Sequence, residues 1–157
     1  MKYDNARTDS DKQVEEVMKQ KLAGQNYLTR DDFIKIGRWK SPRPTKYYES
    51  NSEALVKEIS NIAFCTTNEE LKIGILTLLK GCSYPVASVI LHFKYPNHYP
   101  IIDFRALWSL RGIKPPNYTY EFWQKYVDDT RSIAGQLKVD IRTLDKALWK
   151  YSEEHQK

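Results

Sequence analysis

A chain of 157 residues with 41% hydrophobic and 29% charged side chains is long enough to bury a core and too apolar for a disordered tail. Its formal charge of +5 suits a polyanionic partner, although a surplus of this size also occurs in proteins that bind none. The longest apolar run, 85–91, is too short for a bilayer, the N-terminus shows no signal-peptide core, and Cys65 and Cys82 offer neither metal spacing nor a disulfide framework, so a cytoplasmic protein with no membrane partner is expected, nucleoid-associated if bacterial.

Taken in order, residues 10–22 predict a helix with Ser10 as cap and Val14, Val17, Met18 and Leu22 on one face. Gly24, Gln25 and Asn26 stop it. Residues 29–36 predict a second helix, opened by a capping box of Thr29 and Asp32 and ended by Gly37. The stretch 38–44 holds Pro42 and Pro44 and is expected to be an irregular loop. Arg30, Lys35, Arg38, Lys40, Arg43 and Lys46 crowd this region with Trp39, Tyr47 and Tyr48 between them. Cations interleaved with aromatics suit phosphate contact and base stacking. A solvated loop with its tryptophan tucked into the core explains the same residues.

Residues 52–64 predict a helix with Leu55, Val56, Ile59, Ile62 and Ala63 inward, and a capping box over 67–70 opens the next. That helix carries Leu71, Ile75, Leu78 and Leu79 and ends just before Lys80 and Gly81. Pro85 suits the first turn of a new helix, with Val86, Val89, Ile90 and Phe93 on one side and a break at 95–97. The result is a helix-hairpin-helix around a glycine. Outward-pointing amides beside a helix N-terminus favour a phosphate; an ordinary packed helical hairpin has the same shape.

Asp103 then opens an apolar helix beginning Phe104, Arg105, Ala106. Gly112 is a C-cap candidate and Pro115 with Pro116 a rigid connector. Thr119 caps a helix with Phe122, Trp123, Tyr126, Val127 and Ile133, and Asp140 caps a last one with Ile141, Leu144, Leu148 and Trp149 on one face. No alternating strand of convincing length occurs. The expected fold is all-α.

Leu79, Gly81, Val86, Ala87, Ile90 and Leu91, followed by Pro100, Ile101, Ile102 and Asp103, resemble the signature of the helix-hairpin-helix DNA glycosylase superfamily, which includes endonuclease III, the adenine glycosylase of mismatch repair and 8-oxoguanine glycosylase. The interval from Gly81 to Asp103 matches the adenine-glycosylase pattern without a gap. The resemblance is specific over about a fifth of the chain. It implies a two-lobed helical bundle, with 28–113 as the helical barrel lobe and 1–27 plus 114–157 as the second lobe, and a cleft between them.

The resemblance further implies hydrolysis of the N-glycosidic bond of a damaged or mispaired base in double-stranded DNA, by a monomer. Asp103 would be the catalytic carboxylate, although an aspartate here also serves as an N-cap. DNA contacts would fall to Lys80, Gly81, Cys82, Ser83, Tyr84, Arg105, Lys40 and Arg43, and the base pocket to Trp39, Tyr47 and Tyr48. Gly81→Val is expected to weaken duplex binding and leave the fold intact. Three departures stand out. Pro85 occupies the place of the lysine that cuts the strand, which implies a monofunctional enzyme. Ser83 replaces the hairpin's second glycine, at an expected cost on the order of 1 kcal/mol for a left-handed backbone. The cysteine cluster of the endonuclease III branch is absent, so no cofactor is expected. His92, His98 and His155 have no ligand spacing, so no metal is expected either. A non-catalytic DNA-binding or lesion-sensing protein is the alternative reading.

Overall fold

A computed structural model describes residues 9–111 and 117–156, and within them the chain is helical with no strand. The helices are α1 (Asp9–Ala23), α2 (Arg30–Lys40), α3 (Thr45–Glu49), α4 (Glu53–Cys65), α5 (Glu69–Leu76), α6 (Tyr84–Lys94), α7 (Phe104–Arg111), α8 (Tyr120–Leu137) and α9 (Ile141–His155). No helix among the described residues is long and apolar enough to cross a membrane. Gly112, Pro115 and Pro116 lie outside the described residues.

Helix α6 is the axis of the fold. Every side chain from Val86 to Phe93 is buried, including Ser88 and His92, because α1, α2 and α5 all pack around it. One continuous apolar core runs from Met18 of α1 to Val127 of α8, and a smaller cluster of Ala134, Ile141 and Leu144 sits where α8 meets α9. Contacts cross the expected boundary between the lobes. Helix α1 lies on α2 and α6, inside the region assigned to the barrel, and α9 packs chiefly on α7. An ion pair of 2.7 Å from Arg142 to Glu15 ties α9 to α1.

Several element ends follow the caps read from the sequence. Thr29 accepts from the Asp32 amide at 3.0 Å while the Asp32 carboxylate accepts from the Thr29 amide at 3.0 Å, a complete capping box. Thr119 and Asp140 cap α8 and α9, and Ser52, expected only as the first residue of its helix, caps α4. Others differ. Ser10 lies inside α1, and Asn68, not Thr67, caps α5 through the Leu71 amide. The expected apolar face holds only in part: Leu79 is buried, but Leu71 and Leu78 are 44% and 70% exposed, and Ile73 and Leu76 fill the core in their place. Leu55 and Ile62 of α4 are likewise exposed, and Phe64 points inward.

The largest correction concerns α2, which runs through Gly37 to Lys40. Pro42 and Pro44 restrict the residues just before them, and Ser41 is indeed extended, but their reach stops there. Gly37 is not a terminator. It is the point where the Tyr48 ring crosses α2, and a Cβ there would lie 2.7 Å from that ring. After Pro44 the chain turns at once into α3, which no periodicity announced.

The hairpin between α5 and α6 is longer than its sequence suggests. Helix α5 ends at Leu76, and 77–83 descend through successive turns, with the Leu79 amide bonded to Leu76 O and the Cys82 amide to Leu79 O. Gly81 has φ +84, the left-handed conformation. Ser83 has φ −85 and ψ 175, ordinary extended backbone, so the cost expected from its Cβ does not arise. Asn51 holds the turn. Its Oδ1 accepts from the Lys80 amide at 2.9 Å, and its Nδ2 donates to Lys80 O at 3.1 Å and Tyr48 O at 3.0 Å. Asn51→Ala strips the buried Tyr48 carbonyl and the partly buried Lys80 backbone of these bonds and is expected to cost about 2 kcal/mol in urea unfolding; a loss below half of that would show that the turn holds itself.

Candidate functional site

The site is built on the segment from Tyr99 to Asp103. Pro100, Ile101 and Ile102 are buried, and their backbone is held from three helices. Asp145 of α9 accepts from the Ile101 amide at 2.8 Å, Ser88 of α6 accepts from the Ile102 amide at 3.0 Å, and the Tyr126 hydroxyl of α8 donates to Ile101 O at 3.3 Å. His92 sits 2.7 Å from Tyr99 O through Nδ1. Burial drives its pKa down to about 3, so the ring is neutral and Nδ1 is the donor. It is a structural histidine.

A backbone fixed this firmly aims Asp103. Its Oδ1 accepts from the Ala106 amide at 2.8 Å, capping α7, and its Oδ2 meets the Lys40 ammonium at 3.0 Å. The two side chains are 16% and 13% exposed. Capping uses one oxygen and leaves the other to Lys40, so the cap and the ion pair coexist on one half-buried carboxylate. Lys40 reaches this place because α2 continues past Gly37; a helix ending at Ile36 would not carry it there.

Asp103 and Lys40 lie on the wall of a cleft of about 510 Å³, within the range of small-molecule sites. Pro85 and Val86 at the start of α6, with Ser83, form one side. Helix α6 opens with no side-chain cap, so the partial positive charge of its N-terminus faces this space. Trp39, Phe104, Tyr118 and Trp149 add aromatic surface, and Asp11 and Arg105 add charge. The Arg105 guanidinium lies 5.2 Å over the Trp149 ring. The ring of Tyr118 stacks near Tyr84 at 6.1 Å, and burial, then the Asp103 charge, push its hydroxyl up to about 12.

Of the residues singled out from sequence, Trp39, Lys40, Ser83, Asp103 and Arg105 therefore share one cleft. Trp39 is largely core: its indole N–H donates to Asp11 O at 2.9 Å, its ring packs on Phe93, and only an edge reaches the cleft. Tyr84 adjoins the cleft through Tyr118. Lys80 and Gly81 lie on the turn, and Lys80 is exposed. Three residues fall elsewhere. Tyr48 is fully buried between Gly37 and Gly81 with its hydroxyl donating to Ser41 O at 2.9 Å, Tyr47 is exposed on α3, and Arg43 is exposed away from the cleft lining. Cys82 is buried, and desolvation pushes its thiol far up, out of reactive range. Asp11, Phe104, Tyr118 and Trp149 were not read as site residues. Trp149 has core spacing on α9, and Tyr118 stands alone before a cap, so neither carries a local signal.

Among the described residues no group of histidine, cysteine and carboxylate side chains is arranged to hold a metal ion. No family model, curated protein or solved structure matches the chain.

Proposed function

We propose that the chain is a monofunctional DNA glycosylase that hydrolyses the N-glycosidic bond of a damaged or mispaired base in duplex DNA. The observation that carries this reading is the Asp103 carboxylate. It faces a half-open aromatic cleft, next to a helix N-terminus that no side chain caps. A phosphate fits the α6 N-terminus and Lys40, and a nucleotide rotated out of the stack fits the aromatic surface. As the C1′–N bond breaks, its electron pair leaves with the base and the sugar becomes oxocarbenium-like. The carboxylate stabilises that charge. Water adds to C1′, its proton passes to Asp103 and on to the departed base, and an abasic site remains. Lys40 pairs with the Asp103 carboxylate before DNA arrives, and a phosphate then competes for its ammonium.

One observation favours a second reading. Lys40 Nζ lies 3.0 Å from Asp103 Oδ2, so an amine is present even though Pro85 fills the usual place of one. Transfer of a proton from the Lys40 ammonium to Asp103 would free the amine, whose attack on the abasic aldehyde, with loss of water, would give an imine and permit strand cleavage by β-elimination.

Base release from duplexes carrying oxidised, alkylated, deaminated and mismatched bases tests both, with strand scission scored before and after alkali. Alkali-dependent scission supports the monofunctional reading. Scission without alkali, trapped by borohydride and lost in Lys40→Met, supports the second. Salt-sensitive binding without release on any duplex would leave a lesion-sensing protein. Ser83→Asp tests the phosphate site: it supplies the missing cap, keeps the fold and repels an anion, so duplex affinity should fall at least tenfold at low salt. Unchanged affinity would remove the hairpin from the contact.

A further inference from the structure

Asp145 of α9 is a fully buried carboxyl beside the loop that presents Asp103. Its Oδ2 accepts from the Ile101 amide at 2.8 Å, and its Oδ1 is buried with no hydrogen-bond partner among the described residues. Charged and titratable groups face it from every helix around. Arg142 lies on its own helix and is paired with Glu15 of α1 at 2.7 Å, Lys40 approaches from α2, Asp103 from the start of α7, and Tyr126 from α8.

The arrangement suits a carboxyl that is not ionised. A buried carboxylate needs both oxygens partnered, whereas here one oxygen is satisfied and the other faces the interior. None of the cations around it lies in hydrogen-bonding contact with Oδ1. Burial is the largest influence and raises the pKa to about 8, with the nearby Asp103 charge adding to it and Arg142 and Lys40 opposing it.

We propose that Asp145 is a positioning residue for Asp103: a neutral carboxyl on α9 that holds the Ile101 amide and thereby fixes the loop from which the Asp103 carboxylate meets the cleft. No local motif in the sequence assigns it this role, and it ties the last helix of the chain to the site. What it does for base release rests on the glycosylase reading; its hold on the loop does not.

The pH dependence has a definite sign. The folded pKa lies above the unfolded value of about 3.9, so the neutral form is favoured by folding. Its contribution to stability is fully present below the unfolded pKa and is lost as pH rises through about 8. Asp145→Asn keeps an oxygen to accept the Ile101 amide and cannot ionise. Its melting temperature should match wild type below about pH 4 and exceed it by a growing margin up to pH 8. Asp145→Ala removes the acceptor. Amide exchange should then speed at least tenfold at Ile101 and also at Ala106, whose bond Asp103 accepts, and Asp145→Asn should restore both. Loss of protection at Ile101 with none at Ala106 would overturn the positioning role. An Asn variant less stable than wild type at every pH would overturn the neutral carboxyl, and it decides the matter even where Asp145→Ala fails to fold. These readouts stand whether or not any duplex is cleaved, so a failure here is separable from a failure of the glycosylase reading.

Discussion

Asp103→Asn is expected to fold as wild type does and to release base at least a hundredfold more slowly. The amide oxygen of asparagine still accepts from the Ala106 N–H, and asparagine is as good a cap as aspartate. The cap is therefore kept, and the unfolding midpoint in urea should fall only by what the loss of the Lys40 ion pair costs. On the proposed reading, what disappears is the charge that would stabilise the developing sugar cation, and removing one such electrostatic contribution typically costs 10² to 10³ in rate. Duplex affinity should rise, because the Lys40 ammonium loses its carboxylate partner and is released to a phosphate. Single-turnover base release and fluorescence anisotropy, run side by side, separate the two effects. A rate equal to wild type would reduce Asp103 to a helix cap.

Gly81→Val is expected to destabilise the protein by roughly 3 kcal/mol, a sizeable share of the 5 to 15 kcal/mol available to a domain. Two costs add. A left-handed backbone at φ +84 is unfavourable for a residue with a Cβ by about 1 to 2 kcal/mol, more for a branched one. The new Cβ would also lie 2.7 Å from the Tyr48 ring and 3.1 Å from Tyr47 Cβ, and overpacking of this kind costs about 1 to 3 kcal/mol. Urea unfolding measures the sum, and a loss under 1 kcal/mol would show that the Tyr48 ring yields. Gly81→Val is thus not neutral to the fold, contrary to expectation, and weakened DNA binding in it would say nothing about phosphate. Ser83→Asp, at an exposed extended residue, is the cleaner change.

Much of the architecture could be read from local chemistry. Capping residues act on the next turn of backbone, so Thr29 with Asp32, Thr119 and Asp140 marked true helix starts. Asp103 was legible in the same way as a helix opener. The misreadings share a cause, which is that distant chain decides them. Gly37 reads as a helix stop because glycine often is one, yet a tyrosine on α3 requires it mid-helix. Leu71 and Leu78 obey helical spacing, but α5 stops at Leu76 and its face is chosen by α4 and α6. Trp149 and Tyr118 reach the cleft through the packing of α9 on α7 and the return of the chain into α8. Asp145 was silent because a lone aspartate on an amphipathic helix looks solvated until its helix is docked.

Gly37, Tyr48 and Gly81 also bear on how this sequence can drift. The Tyr48 ring lies within 2.7 Å of where a Cβ would stand at either glycine, so the three positions form one unit of change. Tyr48→Leu should make alanine at 37 tolerable where the native ring forbids it, and the double variant should be less harmful than its parts predict. Position 81 gains less, since its backbone conformation penalises a side chain regardless of space. The order of substitutions along any lineage is therefore constrained, with the ring giving way before the helix does.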